Sequence, residues 1–246
     1  MTTIAWIFLG VATVYALADW FAVTTGDRFL EYIAKPSVMV FLIGVALTVN
    51  ASSDAAQAWF AVALVCSLAG DVFLMVPGDR FVPGLVSFLL AHLAYVVGLL
   101  QLDLSAPYLA VGLVVAAVIV GVVGTKIIGA VRSSGHDELV VPVGVYTVAI
   151  AAMATAAFAT GDARAILGAL LFVSSDAMLG WDRFAGTEAD EAPVAVAVAA
   201  GAASSGGELG DLPPAAPAPF GLPGNIRTWI HITYQVGQAL IVLSLI

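Results

Sequence analysis

Six ionisable side chains stand in or beside stretches that are otherwise apolar: Asp19, Lys35, Asp71, His92, Asp176 and His231. A charge in hydrocarbon is expensive, so each of these must face a cavity or a partner. Carboxyl and imidazole groups in a low dielectric can hold or pass a proton, because desolvation and mutual repulsion drive the pKa values of neighbouring carboxyls apart. Acid–base catalysis and a proton relay are both open to such a set. Asp71 and Asp176 are the sharpest candidates. Neither has a basic residue three or four positions away, so no pairing within its own helix neutralises it. Asp19, beside Trp20, reads equally as an interfacial residue that snorkels toward the headgroups.

Helical spacing groups other residues with these. Ser67 and Asp71 are one turn apart. Gly84, Phe88, His92 and Tyr95 form one stripe, and His231, Tyr234, Gln235 and Gln238 form another. A stripe of that content cannot face lipid and is expected to face the bundle interior. The segments around the two aspartates share a pattern: Ala69-Gly70-Asp71-Val72-Phe73-Leu74 and Ser174-Ser175-Asp176-Ala177-Met178-Leu179. Each is followed by H-x-x-Y, at His92–Tyr95 and His231–Tyr234. This suggests a four-plus-four parallel repeat, which predicts that Asp71 and Asp176 approach each other across the bundle centre.

The elements that must position these residues are membrane helices. The chain has 246 residues, 61% of them hydrophobic and 10% charged, with a mean hydropathy of +1.05. Soluble domains are about a quarter charged, and disorder needs low hydrophobicity. Both classes are excluded, leaving an all-α, polytopic membrane protein. With charges and turn residues as punctuation, eight spans follow: 4–23, 36–52, 55–76, 81–101, 107–126, 139–160, 164–182 and 227–246. The first reads as a span rather than a cleaved signal, since it lacks a basic n-region and an A-x-A site. Arg28, Lys35, Arg80, Lys126, Arg132, Arg183 and Arg227 fall in the odd loops, and Arg164 alone in the even ones. The odd loops are therefore expected in the cytoplasm and both termini outside. Residues 1–187 carry helices one to seven. The alanine-, glycine- and proline-rich stretch 188–224 reads as a disordered cytoplasmic insert, and 225–246 as helix eight. The net charge of −9 argues against nucleic acid.

The residues above also carry a family resemblance. Lys35-Pro36, Ser67-Leu68-Ala69-Gly70-Asp71, the run Phe81…Gly84…Phe88…His92…Tyr95, Ser175-Asp176 and Tyr234…Gln238 occur in one order along the chain. In this the chain resembles the YhhN-like lysoplasmalogenase family of eight-helix integral membrane proteins, from which the long insert departs. The resemblance implies hydrolysis of the vinyl-ether bond of lysoplasmalogens to a fatty aldehyde and a glycerophospho-alcohol.

A vinyl ether hydrolyses by protonation on carbon, giving an oxocarbenium ion that water captures. One protonated and one ionised carboxyl suit that reaction, as they suit glycosidases. Asp71 and Asp176 are therefore expected to be acid and stabilising base, in an order the sequence leaves open. Lys35 is expected to hold the lipid phosphate. Ser67, His92, Tyr95, Ser175, His231, Tyr234 and Gln238 are expected to bind substrate and orient water. No metal or cofactor is called for: His92, His136 and His231 lack zinc spacing, and Cys66 lacks a base at helical spacing. The expected partner is a lysophospholipid from the cytoplasmic leaflet, and the expected setting a prokaryotic cell membrane. The competing class is a small-molecule or proton-coupled transporter. It would need polar groups continuing to the outer face, where helices five and six are bland.

Overall fold

The computed structural model describes residues 1–78, 80–184 and 225–246. Among these, every regular element is a helix. They are α1 (Thr3–Thr25), α2 (Arg28–Thr48), α3 (Asp54–Met75), α4 (Phe81–Leu99), α5 (Ala106–Ser133), α6 (Val140–Thr160), α7 (Ala163–Phe184) and α8 (Ile226–Leu243). The stretch 188–224, read from sequence as an insert, lies outside the described residues.

The helix ends follow local chemistry. Thr2, Asp27, Ser53 and Asn225 each accept a backbone N–H of the first turn with their side-chain oxygens, capping α1, α2, α3 and α8. Asp162 does the same for α7, accepting from Arg164 N and Ala165 N. Gly26 and Gly161 close α1 and α6 in the left-handed conformation that glycine adopts without steric cost.

Two spans, the second and the fifth, differ most from the sequence expectation. Helix two was expected to begin at Pro36, with Lys35 outside it. Instead α2 starts at Arg28 and carries both Lys35 and Pro36 in its interior. The Asp27 cap fixes the earlier start, and the charges that looked like loop punctuation point inward: Glu31 and Lys35 are both buried. The fifth span, expected at 107–126, runs on to Ser133 and is interrupted by a π-helical segment, Ile119–Gly124, which leaves no mark in a run of valine, isoleucine and glycine.

Seven helices, α1 to α7, are long and apolar enough to cross a membrane, so this is an integral, multi-pass membrane protein. The eighth, α8, has 18 residues but is less apolar. His231, Tyr234, Gln235 and Gln238 lower its hydropathy, and all four are buried, as the stripe argument requires. The outer face carries exposed large apolar side chains such as Val14, Phe21, Leu113 and Val148, appropriate where the solvent is lipid.

Helices consecutive in sequence pair as hairpins: α1 with α2, α3 with α4, α5 with α6 and α7 with α8. Further contacts of α2 with α3, α4 with α6, α6 with α7, and α8 with α1 close a ring. Helix α5 packs on α6 outside it. The tightest seam is α7 against α8. A Cβ on Gly168 would lie 2.8 Å from the carbonyl oxygen of Gly237, and one on Gly237 would lie 2.8 Å from that of Gly168. Only glycine lets the two backbones meet so closely.

Candidate active site

The two aspartates expected to be unpaired are both paired, across helices rather than along them. Asp71 on α3 is fully engaged. Its Oδ1 faces Lys35 Nζ of α2 at 3.3 Å, and its Oδ2 accepts the Tyr234 hydroxyl of α8 at 2.8 Å. Lys35, expected to hold phosphate at the interface, is buried instead and directs its ammonium to this carboxylate. Gly70 makes room beside it: the Phe88 ring lies where a Cβ at Gly70 would be, at 2.6 Å.

Asp176 on α7 has a different environment. Its Oδ2 accepts the Tyr146 hydroxyl of α6 at 3.0 Å and lies 3.2 Å from His92 Nε2 of α4. His92 Nδ1 is 2.7 Å from the Phe88 carbonyl oxygen. A carbonyl can only accept, so Nδ1 carries a hydrogen. The imidazole Nε2 then faces the carboxyl oxygen at 3.2 Å, without hydrogen-bond geometry among the described residues. Asp71 thus has a donor on each carboxyl oxygen, whereas Asp176 has one hydroxyl donor and faces an imidazole nitrogen.

A third carboxylate completes the arrangement. Asp19 was read as a possible snorkelling residue, yet it is 0% exposed. Its Oδ2 accepts from His231 Nδ1 at 2.7 Å and from Gln235 Nε2 at 2.6 Å. The other ring nitrogen of His231 lies 4.0 Å from Glu31 Oε1. Glu31 in turn receives Arg28 Nη1 at 3.3 Å and Arg227 Nη2 at 2.9 Å.

These groups surround a cavity of about 130 Å³. Of the residues singled out from sequence, Lys35, Asp71, Ser175, Asp176, His231 and Tyr234 line it. Ser67, His92, Tyr95 and Gln238 are brought close in the fold but do not line it. Gln238 donates to Ser67 Oγ at 2.9 Å and accepts the Tyr95 hydroxyl, tying α3, α4 and α8 together behind the wall. Ser175 donates to the Ile230 carbonyl at 3.1 Å, joining α7 to α8. A second, apolar pocket of about 60 Å³ adjoins the cavity and shares Leu74, Phe88, Asp176 and Leu179 with it. Ile119 and Val123 of the π-helical segment, with Val143 and Ile150 of α6, line its far wall. Asp176 therefore stands on the border of a polar and an apolar space.

Sequence reasoning missed several participants. Glu31 lies one turn before Lys35 on the same face of α2, a spacing hidden by starting the helix at Pro36. Tyr146 is the one hydroxyl-bearing aromatic residue of α6, a signal available but not used. Arg28 and Arg227 were read only as markers of sidedness, although both line the cavity.

Comparison with known proteins places this geometry in context. The profile of the YhhN family matches residues 30–203. A Mycobacterium bovis protein named lysoplasmalogenase is 34% identical over 176 residues, covering 69% of this chain and 66% of the relative. A Mycobacterium tuberculosis protein of the same name matches to the same extent. A human protein, lysoplasmalogenase TMEM86B, is 36% identical over 132 residues, half of each chain. The chain thus spans just under two thirds of the mycobacterial relatives it matches. No solved structure matches.

Proposed function

This chain belongs to the YhhN family, and from that premise we propose that it hydrolyses the vinyl-ether bond of a lysoplasmalogen by carboxyl acid–base catalysis. The observation that carries the reading is the unequal pair of aspartates on one cavity, Asp71 among donors and Asp176 beside an imidazole at the border of the polar and apolar spaces. The first carbons of the alkenyl chain enter the apolar pocket and the glycerol the polar cavity, so the vinyl-ether bond falls beside Asp176.

Asp176, in its protonated form and backed by His92, is the acid. It protonates the alkene carbon remote from oxygen, and the positive charge develops on the carbon bonded to oxygen. Asp71, surrounded by the donors Lys35 and Tyr234, is the carboxylate that stabilises this cation and takes a proton from the attacking water. It need not be a strong base, because water becomes acidic as it adds to the cation. The hemiacetal then collapses. Its hydroxyl proton returns to the Asp176–His92 pair, and Asp71 gives its proton to the departing glycerol oxygen. Aldehyde and alcohol leave, and both carboxyls are reset. Ser67, Tyr95 and Gln238 position Tyr234 and the helices that carry the pair, while Ser175 and His231 meet the substrate.

Two further readings accompany this one. The cavity opens at the end of the bundle that carries Arg28 and Arg227, which the charge asymmetry assigns to the cytoplasm; both termini are then outside. The four-plus-four repeat is supported by the pairing pattern. Asp71 takes one partner from the preceding helix, α2, and one from α8; Asp176 takes one from the preceding helix, α6, and one from α4. Exchanging the halves maps one set onto the other. Against transport, the buried side chains toward the opposite end include Phe60, Leu99, Ile241 and Leu245, an apolar plug in place of a polar path.

The test is turnover of lysoplasmenyl-ethanolamine by the purified protein in detergent. Asp71→Asn and Asp176→Asn are each expected to lower kcat by about 100-fold or more, the range for loss of a general acid or base. Because Asp71→Asn strands a buried ammonium, the Lys35→Met/Asp71→Asn double variant provides a neutral control of folding. Wild-type rates in a folded Asp176→Asn protein would overturn the assignment.

A further inference from the structure

Arg28 and Arg227 are used by none of the steps above. They come from helices distant in sequence and meet at one carboxylate. Arg28 Nη1 contacts Glu31 Oε2 at 3.3 Å and Arg227 Nη2 contacts Glu31 Oε1 at 2.9 Å. Glu31 is buried, while the arginine side chains are 56% and 40% exposed, so the carboxylate fixes the two guanidiniums from below. The contact to Glu31 leaves most of the five N–H donors of each guanidinium for another acceptor. The triad carries one net positive charge, and α2 and α8 both begin there, adding the positive ends of two helix dipoles.

The register gives this pair its place relative to the chemistry. Arg28 precedes Lys35 by seven residues on α2, and Arg227 precedes Tyr234 by seven residues on α8. Lys35 and Tyr234 are the two partners of Asp71. Two helical turns, about 10 Å of rise, therefore separate each arginine from its helix's contact with Asp71. Both arginines line the same cavity as the aspartates. A glycerol backbone covers part of such a gap and the long arginine side chains reach over the rest, so a phosphate ester meets the guanidiniums when an ether oxygen is at the other end.

We propose that Arg28 and Arg227, set side by side by Glu31, form the subsite that binds the phosphodiester of a lysophospholipid headgroup. The assignment rests on the lysophospholipid reading above and replaces Lys35 as the phosphate ligand. Neither arginine lies within residues 30–203, which the family profile matches.

The experiment separates binding from turnover. Binding to the full chain in detergent is measured for a saturated 1-alkyl-glycerophosphoethanolamine, which has no vinyl bond to cleave, and for 1-alkylglycerol, which has no phosphate. Arg28→Gln and Arg227→Gln are each expected to weaken binding of the phosphate-bearing ether about tenfold or more. The ratio of the two affinities should fall by the same factor, and inorganic phosphate should compete only with the phosphate-bearing ether. Turnover of the corresponding vinyl ethers should lose selectivity for the phosphate-bearing substrate through KM. Equal weakening toward both ligands, or none toward either, would overturn the phosphate subsite. Arginine-dependent binding without any vinyl-ether cleavage would leave the subsite standing and overturn the hydrolase reading.

Discussion

At the scale of single residues, the chemistry depends on where hydrogens are fixed. The Phe88 carbonyl holds His92 in the tautomer with hydrogen on Nδ1, leaving Nε2 to face Asp176. His92→Gln removes the second proton acceptor while keeping a polar side chain. It is expected to lower kcat by about 10-fold or more with little change in KM, because the group acts on the transition state and does not line the cavity. Steady-state kinetics check this, and a pure KM effect would contradict it. The aspartates themselves were legible in the sequence, because an intramembrane carboxyl stands out against apolar neighbours. Their partners were not, because the search for counter-ions ran along each helix. Lys35 lies 36 positions before Asp71, and Tyr234 lies 163 after it. Only packing brings them together.

At the scale of elements, two features control how α7 is placed. Its N-terminus is capped by Asp162, which lies between the spans. Burial pushes this carboxyl's pKa up, but the Arg164 side chain and the N–H groups of Ala165 and Arg164 outweigh it and hold the value below the ordinary one. A lowered pKa means the cap contributes fully above the ordinary carboxyl value and is lost as pH falls through the lower folded value. Asp162→Ala is expected to cost about 1 kcal/mol at neutral pH and to flatten the acid limb of stability, measured by unfolding in detergent across pH. The second feature is the Gly168–Gly237 seam. Gly237→Val would drive side-chain atoms against the Gly168 carbonyl and is expected to cost about 1–3 kcal/mol, as overpacking does. Activity should fall as well, since α7 carries Asp176 and α8 carries Tyr234. Gly129→Ala, with nothing within 4 Å of the added atom, is the neutral comparison. Six of the eight spans were legible to within a few residues, because lipid demands long apolar runs. The start of α2 was not, because buried charges imitate loop charges. The π-helical segment was invisible because it changes hydrogen-bond register without changing composition.

At the scale of the whole molecule, a ring of seven helices holds the polar groups toward one end and apolar side chains toward the other. The charge asymmetry turns that polarity into a statement about sidedness. A cysteine introduced at Arg28 is expected to react with a membrane-impermeant maleimide only after the membrane is opened. One introduced at Gln101, in the turn after α4, should react in intact cells. The reverse pattern would invert the topology and place the cavity on the outer face. The general architecture was readable from composition, whereas the ring order was not. Nothing in the amino-acid string says that α4 meets α6 while α5 packs outside.

The border position of Asp176 also bears on what happens after the bond breaks. On the proposed chemistry the two fragments part into different phases. The aldehyde is released with its first carbons already in the apolar pocket beside α5, the helix that faces lipid most fully. The glycerophospho-alcohol is released into the polar cavity and leaves toward water. An electrophile that attacks protein amines is thereby delivered to the bilayer, away from the lysine and arginines that line the wet side.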